Sequence, residues 1–354
     1  MHVIPFELSP TKNDADFERI TAPPLRILSI DGGGLKGAMP AAFLATIEEQ
    51  TGQRIIDHFD LIVGTSTGGI IALGLGLGLS ASEILHFYQE KGPGIFGQTP
   101  GTTWHRRLFK HYFRKVKQLV KNKHDPASLR TALEEVFQDR RLGESQTRLV
   151  IPAWHSVRRT PYLFKTAHHQ RLEVDYKEKV VDVALATAAA PTYLPTHQIE
   201  SGVMLTDGGV WANNPTGVAA VEAAGVLNWK MSDVRMLSLG CTDEYFVVDP
   251  DAGFISMGIT GGIELMFQGQ SFGALSTAKL LLGGGTESLE RLLRVDVTVP
   301  KGFAAMDDAS RIKELSGLGR SEARERLPQI RREFITMKRQ PFHAFHQLGG
   351  ESPQ

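Results

Sequence analysis

A single cysteine, Cys241, stands in the 354 residues. That excludes an internal disulfide and a cysteine-based zinc site, and it suits a reducing compartment. Neither sign of charge is in excess: 39 lysines and arginines meet 39 aspartates and glutamates, so whole-chain charge directs the molecule to neither DNA nor RNA nor a membrane. Any anion binding must therefore be local. No long hydrophobic run occurs either. The nearest, IIALGLGLGL from Ile70 to Leu79, is far short of the roughly 20 residues that cross a bilayer. The first residues, MHVIPFELSPTKNDADFERI, carry acids and prolines where a secretory signal has a basic start and an apolar core, so a cytoplasmic protein is expected.

What is present is the composition of a soluble globular chain, 42% hydrophobic and 22% charged, which allows a sizeable core. LRILSI and FDLIVG read as short buried strands, and Met39 to Gln50 between them has apolar positions at helical spacing. A second helical run starts at Ser66. Strands alternating with helices predict βαβ units and a parallel sheet. RLVIPAW, PYLFKT, VRMLSLG and VDVTVP are further strand candidates. The rhythm breaks from Lys91 to Asp125, which reads as an insertion; its basic amphipathic stretch Trp104 to Lys123 suits either a lipid headgroup layer or an ordinary solvated face. The terminal FHAFHQLGGESPQ is expected to fray.

Three glycine-bearing motifs carry chemistry. LSIDGGGLKG satisfies G-x-G-x-x-G from Gly32 to Gly37, between a strand and a helix. Its amides suit either a dinucleotide pyrophosphate or the oxyanion of an acyl-transfer intermediate. FDLIVGTSTGG holds G-x-S-x-G at Gly64, Ser66 and Gly68, again after a strand and before a helix, which is the setting of a nucleophile elbow. A serine hydroxyl needs a base. After Asp207 no histidine follows until His343 and His346 in the tail, which makes a Ser-Asp-His triad awkward. Asp207 itself, in LTDGGVWANNP with Gly208 and Gly209, is the alternative base. A dehydrogenase reading would take GGGLKG for pyrophosphate and Asp57 or Asp60 for the ribose, and leaves the serine motif unexplained. A binding protein that has lost the reaction is a further rival, against which the intact Ser66 and Asp207 speak.

Taken together, the motifs at Asp31 to Gly37, Gly64 to Gly68 and Asp207 to Gly209 resemble the patatin-like phospholipases, as do ATAAAPTYLPT before the acid and NNP after it. The resemblance implies a patatin-like three-layer α/β/α fold with a central, mostly parallel sheet. It implies an arm at 1–24, a catalytic domain at 25–245 with an insertion near 91–125, and a helical C-terminal part at 246–354 packed on the same domain. It further implies a serine acyl hydrolase with Ser66 as nucleophile and Asp207 as base. The oxyanion donors would be backbone amides of Gly32, Gly33, Gly34 and Leu35; Asp31, Lys36, Gly37, Gly64, Gly68, Gly208 and Gly209 would support the motifs. No metal or other cofactor is required for that chemistry. A phospholipid membrane surface would be the partner. A looser resemblance, to bacterial anti-phage phospholipase effectors, implies a cyclic dinucleotide activator, cyclic GMP-AMP, with Arg158, Arg159 and Lys165 as conceivable phosphate contacts, against constitutive activity as the alternative. Whether copies assemble into a homo-oligomer is left open.

Overall fold

The computed structural model describes residues 24–96, 126–191, 193–244, 254–300, 302–303 and 305–349. The run LRILSI is strand β1 (Leu25–Ile30), buried from Arg26 onward, as expected of a strand covered on both faces. Past the glycine loop comes α1 (Ala38–Thr51), closed by Gly52 in the left-handed conformation. Strand β2 (Leu61–Gly64) then lies parallel to β1, and α2 (Thr67–Gly76) and α3 (Ala81–Phe96) follow. Lys91 to Phe96, where an insertion was expected to begin, continue α3. The rest of that segment, with its basic stretch, and the expected arm up to residue 23 lie outside the described residues.

The chain resumes with α4 (Pro126–Phe137), β3 (Arg148–His155), β4 (Thr160–Lys165), α5 (Val180–Thr187), β5 (His197–Gln198) and β6 (Met204–Asp207). A single turn, α6 (Gly209–Ala212), leads to α7 (Thr216–Gly225), β7 (Val234–Leu239), β8 (Asp243–Glu244) and α8 (Phe254–Leu281). Last come α9 (Gly285–Arg291), β9 (Leu292–Val295), β10 (Thr298–Val299) and α10 (Ile312–Glu333).

The eight-stranded sheet has the order β5-β6-β3-β2-β1-β7-β9, with β4 also on β3. Strands β3, β2, β1, β7 and β9 run parallel, while β4, β6 and β5 make antiparallel pairs. The result is an α/β fold with a mixed, mostly parallel central sheet flanked by helices. Strand alternation sorts the core into two faces. Leu28, Ile30, Ile62, Leu237 and Leu239 pack with apolar residues of α1 and α2, whereas Ile27, Leu61, Val63, Val234 and Met236 pack with Ala219, Ala220 and Ala223 of α7 and Ala278 of α8.

Two regions differ from the sequence reading. The strand near Val295 starts earlier, at Leu292, breaks at Asp296, and joins the central sheet beside β7, so the C-terminal part contributes more than helices. The tail through Gly349 is tied down instead of frayed. Arg339 donates its amide to the Asp57 carbonyl at 2.7 Å, and Phe345 donates to Ala167 at 2.7 Å. Backbone bonds to the body of the protein offset the entropy that frees most termini.

One feature of β3 positions everything that follows. Strand β2 pairs with it only at Arg148 to Val150, while β6 pairs with it at Ala153 to His155. Strand β4 fills the other edge across Val150 to His155. Thus β2 and β6 share one edge and approach from opposite directions, their last residues paired with β3, Val63 and Asp207, separated by three positions of that strand, about 10 Å.

Candidate active site

Ser66 occupies the turn between β2 and α2 with φ 56 and ψ −120. Positive φ is costly for a residue with a Cβ and is kept only where neighbours over-determine it. The determinant is close backbone approach. A Cβ on Gly64 would lie 2.1 Å from the Gly68 carbonyl oxygen, and one on Gly68 would lie 2.2 Å from that of Ile30. The Ser66 amide donates to Thr187 Oγ1 at 3.0 Å, and the Thr187 hydroxyl donates to the Pro152 carbonyl at 2.6 Å. Thr187 ends α5, in the alanine-rich stretch; the helix stops there and leaves Ala188 to Ala190 irregular.

Asp207 closes β6 and faces Ser66. Its amide donates to the Ala189 carbonyl at 3.0 Å, and its Oδ1 accepts from the Gly209 amide at 2.6 Å. Gly208 passes against β3, where a Cβ would fall 2.3 Å from the Pro152 carbonyl oxygen. The Ser66 side chain lies close enough to the Asp207 carboxylate to favour its ionised form. Burial pushes the Asp207 carboxyl up to about 7, opposed by the hydrogen bond from the Gly209 amide and by the nearby Ser66 side chain.

The glycine loop lies on top of α2. The Gly32 amide donates to the Asn213 carbonyl at 2.9 Å and the Leu35 amide to the Met306 carbonyl at 2.8 Å. Of the four amides expected as oxyanion donors, those of Gly33 and Gly34 have no hydrogen-bond partner among the described residues. Gly34 has φ +59, which suits glycine. Asn213, from NNP, clamps the loop by donating its side-chain amide to the Gly32 carbonyl at 3.3 Å. Gly37 precedes α1, and Lys36 Nζ lies 3.5 Å from the Thr242 carbonyl oxygen.

Asp31 is held by a residue the sequence reading did not single out. Arg294 on β9 donates Nη1 to Asp31 Oδ1 at 3.0 Å and Nη2 to Oδ2 at 2.6 Å, and also reaches Asp296 at 2.5 Å. Burial weighs against the Arg294 charge, but Asp31 and Asp296 outweigh it and push its pKa up; burial also raises Asp31, against the pull of Arg294. The available signal was an arginine inside an apolar run, which needs a carboxylate when buried.

Other candidates fall elsewhere. His346 accepts from or donates to no site residue; its Nε2 meets the Gln170 carbonyl and its ring stacks on Tyr176. Asp60 precedes β2, at the opposite end of the sheet from GGGLKG, and accepts from the Arg26 amide at 2.9 Å, so it cannot serve a ribose beside that loop. Asp57 pairs with Lys338 at the same far end. Arg158 and Arg159 are exposed in the β3–β4 hairpin, whereas Lys165, at the other end of β4, is paired with Glu222 at 2.6 Å. Those three do not form one site. Among the described residues no group of three or more His, Cys, Asp or Glu side chains is placed to hold a metal ion. No helix among them is long and apolar enough to cross a membrane.

Comparison with known proteins bears on the same region. A cGAMP-activated phospholipase of Pseudomonas aeruginosa is 39% identical over 219 residues, 62% of this chain and 62% of that protein, so the match leaves more than a third of the relative uncovered. A cGAMP-activated phospholipase of Vibrio cholerae is 31% identical over 329 residues, 85% of this chain and 91% of the relative. The crystal structure of VipD from Legionella pneumophila aligns with TM-score 0.44 and 11% identity over 87% of this chain and 67% of that one. The model of the patatin-like phospholipase family matches residues 28–220, more than half of the sequence and all three glycine motifs. This chain belongs to the patatin-like phospholipase family.

Proposed function

We propose that the protein is a serine acyl hydrolase that cleaves phospholipid esters with a Ser66–Asp207 dyad. Asp207 takes the hydroxyl proton as Ser66 Oγ attacks the ester carbonyl, and a tetrahedral oxyanion forms. The amides of Gly33 and Gly34 donate to that oxygen. Collapse expels the alcohol, which leaves with the proton held by Asp207, and an acyl-enzyme remains. Water activated by the same carboxylate then attacks the acyl-enzyme and releases the fatty acid. A base is most effective when its pKa lies near the working pH, and burial brings Asp207 to about 7. The observation that carries this reading is the convergence of Ser66, on its strained turn, with the buried Asp207 carboxylate, close enough for Ser66 to favour the ionised form of the acid.

We infer further that a cyclic dinucleotide such as cyclic GMP-AMP controls the activity, as the names of the Pseudomonas and Vibrio relatives state for those proteins. The test is release of fatty acid from phospholipid vesicles with and without cyclic GMP-AMP. Activity that depends on the nucleotide supports both parts. Equal activity in its absence leaves the hydrolase and removes the control. Fluorophosphonate labelling at a residue other than Ser66 would overturn the dyad.

A further inference from the structure

At the end of the sheet opposite Ser66, three arginines converge around one buried carboxylate, Asp60, whose single charge is shared among all three. Arg26 is the second residue of β1 and Arg148 the first of β3, at the same end because Ile27 and Arg148 both pair with Leu61. Arg339 comes from the tail, near enough to Arg148 to oppose its charge. None of the three guanidinium groups forms an ion pair within 4.0 Å among the described residues. Asp60 spends Oδ2 on the Arg26 backbone amide, and the neighbouring Glu222 is taken by Lys165 and His168. Buried charge is normally paired, because desolvation without compensation is unfavourable.

Within this seam the three are not equivalent. Arg26 donates Nη1 to the carbonyls of His58 and Met337 and Nη2 to Thr336 Oγ1. Arg339 gives all its nitrogens to carbonyls, those of Ile56, Gln340 and Gln146. Arg148 makes one long bond, Nη1 to the Asp60 carbonyl at 3.3 Å, and its buried Nε has no partner. The rings of Trp229 and Phe342 lie 5.7 and 5.2 Å from its Cζ. They fix the guanidinium against apolar surface and leave its Nε–Nη2 edge without a partner among the described residues, an edge that can receive a carboxylate or phosphate in fork fashion.

We propose that Arg148 is the anchor of a second ligand site, at the strand-start end of the sheet, that binds the phosphate of a phosphate ester. The charge excess of the seam selects a dianionic or polyanionic phosphate group, and the half-buried rims of Trp229 and Phe342 suit a flat base attached to it. The ligand's identity rests on the nucleotide-control reading above; the anion site itself rests on the arginines. Leu61, opposite Arg148, precedes Ser66 by five residues, about 17 Å of strand and turn, so a ligand here acts on the catalytic pair only through the fold.

The experiment is calorimetric binding of cyclic GMP-AMP, inorganic phosphate and glycerol 1-phosphate, a lipid-headgroup analogue, to the full chain and to Arg148→Met. A loss of affinity of about tenfold or more in the variant, with circular dichroism and melting temperature retained, supports the site. Loss for phosphate or glycerol 1-phosphate without any cyclic GMP-AMP binding keeps the site and discards the nucleotide as its ligand. Cyclic GMP-AMP that binds or activates wild type and variant equally overturns the site while nucleotide control stands. No binding of any of the three to wild type also overturns it. Should Arg148→Met fail to fold, ligand-dependent quenching in wild type that is absent in Trp229→Phe replaces the comparison, and equal quenching in both counts against the site.

Discussion

Thr187 Oγ1 accepts the backbone amide of Ser66 at 3.0 Å while giving its own proton to the Pro152 carbonyl. One hydroxyl thereby joins the serine turn to β3, on which Asp207 is also built. Thr187→Val keeps the shape and removes both bonds, leaving a buried donor and a buried acceptor unsatisfied at about 1–3 kcal/mol each. The variant is expected to melt at lower temperature and to turn over more slowly, with kcat affected more than KM. Unchanged kcat together with a lowered melting temperature would assign Thr187 to stability alone.

Removing either member of the proposed dyad tests the reaction directly. Ser66→Ala is expected to abolish ester hydrolysis and fluorophosphonate labelling. Asp207→Asn is expected to slow hydrolysis by about 100- to 10,000-fold, the usual range for loss of a general base. Assays on a soluble ester separate this chemistry from lipid access.

The pH dependence follows from the raised Asp207 carboxyl, at about 7. The proposed base must be ionised, so kcat/KM should climb with pH through about 7 and level off above it. Stability moves the other way. Between the ordinary carboxylate range near 4 and about 7 the folded state holds a proton the unfolded state has released, so this contribution, complete at low pH, is lost as pH rises through 7. Asp207→Asn should therefore melt a few degrees above wild type at pH 8, and the gap should narrow toward pH 5. A gap that is equal at both values would contradict the buried charge.

Arg294 joins β9 to the glycine loop through two bonds to Asp31. Arg294→Met leaves Asp31 buried without its cation, a change that costs about 3–5 kcal/mol when one partner of a buried pair is removed. A lower melting temperature is expected, and a slower reaction if the loop shifts from Ser66. Simultaneous Asp31→Asn should recover part of the stability, measured by thermal denaturation of the double variant.

A methyl group on Gly68 would meet the Ile30 carbonyl oxygen at 2.2 Å. Gly68→Ala is expected to prevent folding or to displace α2 from β1, with activity lost in either case. Normal melting and normal turnover in that variant would mean the elbow is looser than its contacts indicate.

The sequence by itself determined the strand-turn-helix setting of each glycine motif, because strand burial, helical spacing and turn chemistry are local and leave local patterns. LRILSI, RLVIPAW and VRMLSLG became β1, β3 and β7, and Asp207 was distinguished from an ordinary Asp-Gly turn by its company in the chain. Only the tertiary structure decided what meets what. Sharing one edge of β3 brings the end of β6 to the end of β2, a relation between residues 141 positions apart that no spacing records. The same holds for Arg294 beneath Asp31, for the Asn213 and Met306 carbonyls that occupy two of the four expected loop amides, and for the arginines gathered at the far end. Each of these depends on strand order and on how long segments return to the sheet, and partners chosen by packing across hundreds of residues have no signature in the segment that carries them.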